Sequence, residues 1–260
     1  MLTDQLTSAA AREARRAAHE ARVDAWILPH LERRRRGEKH PVLDFLFTYY
    51  SLRPAQLRQW RPGGEPHRRP ETVAWVRALL AATASRPAHL GCFGLHEWAM
   101  VYRQTQDELR HNAWPLRLGP AGTDAVVAAS RIRCSHFDAF RFYTAPARSL
   151  NLLQPTRETQ TANEQPGCLH ANMDLYKWSY KLGPLTSGEL VADCFELACA
   201  IRTLDMQASP YDLAALGYPP VAVETSDGRA EYTRRQRELS ERAAPLRAAL
   251  IDVCDQASQP

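Results

Sequence analysis

SGELVADCFELACAIRTL, running from Ser187 to Leu204, decides the fold. Ser187 has the side chain of a helix N-cap, and Leu190, Cys194, Leu197 and Ile201 recur at helical spacing, so the segment is a helix with one face to bury. Its neighbours follow the same periodicity. His170 to Lys181 predicts a helix on the N-terminal side, and a last helix is expected from about Ala230 to Ala257, entered after the turn Ser226-Asp227-Gly228.

Further out, Ala9 to Arg36 is rich in Ala, Arg, Glu and Leu and free of Gly, which predicts a long helix bent at Pro29 and ended by Gly37. Pro41 suits the first turn of another, with His40 near its cap and an apolar run from Val42 to Phe47, finishing near Ser51 before Arg53-Pro54. Trp60 to Pro70 reads as loop. Glu71 to Ser85 reads as helix, through the stripe Val73, Val76, Leu79 and Leu80, and Cys92 to Arg103 as helix, with a strand as the alternative. Ile132, Cys134, His136, Asp138 and Phe140 alternate with other residues, which suits a strand or an irregular active-site segment. Ala145 to Gly167 is polar and Pro-containing, a long loop. The expected fold is mainly α, a single-domain helical protein over residues 1–260 with at most a small β element and a flexible arm at residues 1–10.

Composition narrows the class. At 260 residues, 45% hydrophobic and 24% charged, the chain can bury a sizeable core in one domain. No run of some twenty apolar residues and no signal-peptide pattern occurs, so a cytoplasmic location without a membrane partner is expected. Cys92, Cys134, Cys168, Cys194, Cys199 and Cys254 form no CxxC pair, which argues for buried thiols over a zinc ribbon or disulfide framework. Only Lys39, Lys177 and Lys181 are lysines among 33 cations, and Arg is the better bidentate phosphate ligand.

Four segments combine ionisable with aromatic residues: HPVLDFLFTYY (His40 to Tyr50), HEW (His96 to Trp98), HFDAFRFY (His136 to Tyr143) and HANMDLYKW (His170 to Trp178). In a helix His170 and Asp174 share a face, as do Asp174 and Trp178, and His40 and Asp44 repeat the spacing; His136 and Asp138 share a face only in extended chain. An enzyme that removes a base needs such a mixture. Tyr49, Tyr50, Trp98, Tyr176 and Trp178 can stack on an extruded base, with His96, His136, Phe137 and His170 completing a base pocket. Cleaving the N-glycosidic bond builds positive charge on the sugar, which a carboxylate stabilises; Asp44, Glu97, Asp138 and Asp174 are the candidates, Asp174 and Asp138 preferred. Lys177 can form a Schiff base with a sugar aldehyde, although an ion pair with Asp174 is the commoner arrangement at this spacing. Arg33, Arg34, Arg35, Arg36 and Lys39 are candidates for phosphate contact or a solvated helix end. His96, Glu97, His170, Asp174, His136 and Asp138 would equally ligate iron or zinc, but neither HExxH nor paired ExxH is present, and no cofactor is expected.

The stretches RRRRGEKHPVLDFLFTYYSLRPAQLRQW, GLHEWAMVYR, RCSHFDAFRFYT, QPGCLHANMDLYKW and DMQASPYDL resemble bacterial proteins classed as 3-methyladenine DNA glycosylases, over about Arg22 to Leu246. The resemblance implies a DNA N-glycosylase acting on double-stranded DNA with a modified base, in a group that looks suited to defence against phage DNA. Neither the LPGVG-type hairpin of helix-hairpin-helix glycosylases nor the GQDPYH motif of uracil-removing enzymes is present, so no catalytic residue transfers by motif. A metal-dependent (iron or zinc) oxygenase or hydrolase of a small molecule is the alternative, and a DNA-binding protein without catalysis a third reading. No obligatory protein partner is expected.

Overall fold

Ser187 caps its helix as its position demands: the hydroxyl accepts a hydrogen bond from the Leu190 N–H. The structure, a computed structural model, describes residues 9–257. Helix α1 (Ala9–Arg35) is followed by the short α2 (Phe45–Tyr49) and α3 (Pro54–Arg58), then α4 (Pro70–Ala84), α5 (Leu95–Ala99) and α6 (Gly119–Ala129). Three helices of a single turn, α7 (Phe137–Phe140), α8 (Ala145–Arg148) and α9 (Gln160–Asn163), lead to α10 (Leu169–Lys181), α11 (Gly188–Gln207) and α12 (Ser226–Gln256). The molecule is 61% helical and mainly α. Among the described residues there is no strand, only isolated bridges joining Leu116 to Tyr211 and Ile132 to Asn151. No described helix is long and apolar enough to cross a membrane.

Helix α10 packs along α11, both rest on α12, and α12 lies against α4; α1 covers α11 and α3. Trp98, Tyr176, Phe195 and Tyr232 are buried at the centre of the main core. Arg22 of α1 clamps α11 through Glu196 and Asp193, each at 2.7 Å.

Several sequence expectations change. The Ile132 to Phe140 alternation is no strand, because it stops at His136, the N-cap of α7; Ile132 pairs with a single residue. Only Leu95–Ala99 is helical within Cys92 to Arg103, and Pro41 to Asp44 form turns ahead of α2. The expected loop over Ala145 to Gly167 contains α8 and α9. Ser226-Asp227-Gly228 is the first turn of α12 itself, capped by Thr225, and a Cβ on Gly228 would meet the Ala222 carbonyl oxygen at 1.9 Å. The expected N-terminal arm lies outside the described residues except for Ala9 and Ala10, which belong to α1.

Asp44 ties the end of α1 to the chain that returns beneath it. Its carboxylate accepts from His30 Nδ1 at 2.8 Å, from Arg33 at 2.6 Å and from the His40 N–H at 2.8 Å. Burial alone would raise its pKa; Arg33 and His30 outweigh that and hold it below the usual carboxylate range. A depressed carboxyl contributes stability above its unfolded pKa of about 4 and loses it as pH falls through the folded value. Asp44→Asn should therefore destabilise the protein by about 3 kcal/mol near neutrality, where it strands Arg33 and His30. The difference from wild type should shrink on acidification, as read by denaturant melts at several pH values.

Candidate active site

Asp174 sits at the middle of α10, 2% exposed, one turn from His170 and less than a turn from Lys177. Its Oδ1 accepts from the Tyr50 hydroxyl at 2.8 Å and its Oδ2 from Lys177 Nζ at 2.8 Å. Lys177 also donates to Asp138 Oδ2 at 2.8 Å, and Asp138 meets Arg141 Nε at 3.2 Å. His136 Nε2 lies 3.4 Å from Asp174 Oδ2 and 3.3 Å from Glu164 Oε1, which accepts from Gln160 Nε2 at 2.6 Å. Against the effect of burial, Lys177 and His136 hold the Asp174 carboxyl well below the usual range, while Asp174 and Asp138 raise the Lys177 ammonium. Burial raises the Glu164 carboxyl.

A second group adjoins the first through His170. His96 of α5 meets Asp205 Oδ1 through Nε2 at 2.8 Å. Arg202, three residues before Asp205 on α11, donates to Asp205 Oδ2 at 2.8 Å and to Glu97 Oε1 at 2.9 Å, its guanidinium carbon 3.9 Å from the Phe45 ring centroid. Burial would raise Asp205, but His96 holds it well below the carboxylate range; burial would lower His96, and Asp205 raises it. The His170 ring lies edge-to-face on His96 with centroids 4.4 Å apart, and 5.4 Å from His136. Burial, with His96 and His136 as neighbours, lowers the His170 imidazole well below its ordinary pKa, so it is neutral.

His96 and His170 line a pocket of about 340 Å³, together with Cys92, Cys134, Cys168 and Tyr232. Arg86 and Arg133 also border it, Arg133 exposed and Arg86 anchored to the Glu164 carbonyl oxygen at 2.9 Å. No Asp or Glu is among the residues lining this pocket. Asp205 lies behind the lining residue His96, to which it is bonded, and Glu164 stands in sequence between the lining residues Asn163 and Gln165. Two groups of three side chains bring ligand atoms within 4.8 Å of one another and are suited to a metal: His96 with His170 and Asp205, and His136 with Glu164 and Asp174.

The structure thus brings together Asp174, Asp138, Lys177, His136 and Tyr50, with Tyr49 stacked edge-on against Tyr50 at 5.0 Å. His96 and His170 are the two sequence candidates on the pocket wall. Trp98 and Tyr176 are core, fully enclosed, the Trp98 indole donating to the Ala208 carbonyl. Trp178 is buried against Trp75, with Lys177 over its ring at 4.5 Å. Phe137 is half-buried beneath Arg157, and Glu97 is committed to Arg202. Asp44 stands apart in its clasp with Arg33, and Arg35 and Arg36 pair with Glu32. Arg34 borders a different groove beside Leu28 and Leu31, and Lys39 is exposed; none of these five cations lines the pocket.

Sequence reasoning missed Glu164, Arg202, Asp205, Arg86 and Arg133. Asp205 had a signal. It continues the buried stripe Cys194, Leu197, Ile201 by one more turn, and a charge on an apolar stripe has to be paired.

Lys177→Met should destabilise the protein by about 3 kcal/mol, because Asp174 and Asp138 lose their shared cation. The double variant with Asp174→Asn should lose clearly less than the two single variants together, which a double-mutant cycle of chemical melts measures.

No family model matches the chain, and no curated protein or solved structure matches it.

Proposed function

We propose that the protein is a DNA N-glycosylase that takes a modified base, extruded from duplex DNA, into the pocket above His96 and His170. The observation that carries this reading is a pocket bordered by arginines and lined by imidazoles, one of which, His96, is bonded to the buried anionic carboxylate of Asp205. Its volume, about 340 Å³, lies at the low end of small-molecule sites, which run to roughly 1,000 Å³, and suits a base or nucleoside. Arg133 and Arg86 are placed to meet backbone phosphates. The resemblance to the 3-methyladenine DNA glycosylase group supports the same reaction class and suggests phage DNA as the setting.

Catalysis in this reading is electrostatic. As the N-glycosidic bond breaks, positive charge grows on the sugar, and Asp205 and Asp174, both held in the anionic form, provide a negative potential from fixed positions. Asp205 acts from behind His96 and Asp174 from a greater remove, neither of them lining the pocket. Lys177 is no nucleophile here: paired with two carboxylates it stays an ammonium ion, so the enzyme should leave an intact abasic site.

Duplexes carrying methylated, hydroxymethylated or glucosylated bases, incubated with enzyme and then alkali, should break at the modified position only after alkali. Intact strands with every substrate would sink the reading. Borohydride should trap no protein on DNA. Arg133→Ala should weaken binding across sequences and reduce the salt dependence by about one ion. Asp205→Asn should slow excision by on the order of 100-fold.

A further inference from the structure

We propose that His96, His170 and Asp205 hold a divalent transition-metal ion at the floor of the pocket. Their ligand atoms lie within 4.8 Å of one another and come from three separate helices, α5, α10 and α11. Two imidazoles and one carboxylate are a ligand set for iron, cobalt, manganese or zinc that leaves coordination positions open. Those positions face usable space here, because His96 and His170 line the pocket, which is also an entry path for the ion. The 2.8 Å between His96 Nε2 and Asp205 Oδ1 is close to the edge of about 3 Å between adjacent ligands at metal bonds of about 2.1 Å.

The surroundings fit the same role. Asp205 is oriented by Arg202 on its other oxygen, and Arg202 in turn by Glu97, so the carboxylate is held by an outer layer of partners as metal-ligating carboxylates are. His170 has ring contacts with both neighbouring histidines but no hydrogen bond among the described residues. An imidazole that lines the pocket and makes no such bond has a ring nitrogen uncommitted to any protein partner.

The other three-residue group, His136 with Glu164 and Asp174, is the weaker host. None of its three side chains lines the pocket, so an ion there would lack the open coordination space and entry path that His96 and His170 have. An ion bound by His96, His170 and Asp205 would offset the Asp205 charge that electrostatic excision draws on, so the two readings make opposite demands on the metal and fail separately.

Untagged, metal-stripped protein titrated with Co²⁺ and followed by visible absorption should take up one ion per chain, displaced by Zn²⁺. His170→Ala should weaken binding by more than the roughly 10–100-fold that loss of an outer partner brings. Its circular dichroism and metal-free melting should stay near wild type; should the alanine variant not fold, His170→Gln carries the same test. Glu164→Gln, in the other group, should bind Co²⁺ as wild type does. Wild-type protein that takes up no Co²⁺, a His170 variant that binds as tightly, or loss of binding in Glu164→Gln would each overturn the proposal. The excision assay, run with and without the ion, reports on the other reading.

Discussion

A charge removed from water must be met by a partner, and helix α10 carries titratable groups through the protein at His170, Asp174 and Lys177. Asp174 is 2% exposed in a setting where an unpaired carboxylate would cost several kcal/mol. Its partners are drawn from Tyr50 at the end of α2, His136 at the cap of α7 and Lys177 on its own helix. Lys177 then requires Asp138 and, through it, Arg141. His136, at the N-cap of α7, and Asp138, in its first turn, both reach residues of α10 from that one short helix.

The same constraint shapes the pocket. Glu97, Asp205, Glu164 and Asp174 are all nearly enclosed, so each has spent its oxygens on Arg202, His96, Gln160, Lys177 or Tyr50. What remains around the open space is imidazole, thiol, amide, hydroxyl and aliphatic side chains, bordered by two arginines. A ligand entering there meets these groups first, and the Asp205 carboxylate acts on it through His96. Fixed charges of this kind need no reorganisation during a reaction, which makes them effective against a developing cation.

The helices were readable because their signals are local: the Ser187 cap, the stripe of α11, the Ala- and Arg-rich α1 and the α4 stripe all depend on residues within a few turns. The α10 register was readable too, and its Asp174 to Lys177 ion pair follows from spacing alone. The site was not, because its pairs span the chain. His96 and Asp205 are 109 positions apart, and Arg202 reaches Glu97 across 105. Aromaticity misled in the opposite way: Trp98 and Tyr176 stand next to site residues in sequence, yet their rings fill the core, as large apolar surfaces in a packed helix do. The run Arg33 to Arg36 looked like a phosphate clamp, but Arg33, Arg35 and Arg36 are consumed by Asp44 and Glu32.

The cysteines decide which groups at the pocket are reactive. Cys92, Cys134 and Cys168 share the lining with His96 and His170, and a thiolate among them would be both the strongest nucleophile and a competing soft ligand. Burial prevents it: the Cys134 thiol is pushed up to about 12, Cys168 well above the ordinary value, and Cys92 upward as well. All three therefore remain neutral thiols near pH 7, unpaired by any disulfide. The imidazoles of His89, His96 and His170 are left as the basic groups of the lining, His96 backed by an anionic carboxylate and His170 held neutral.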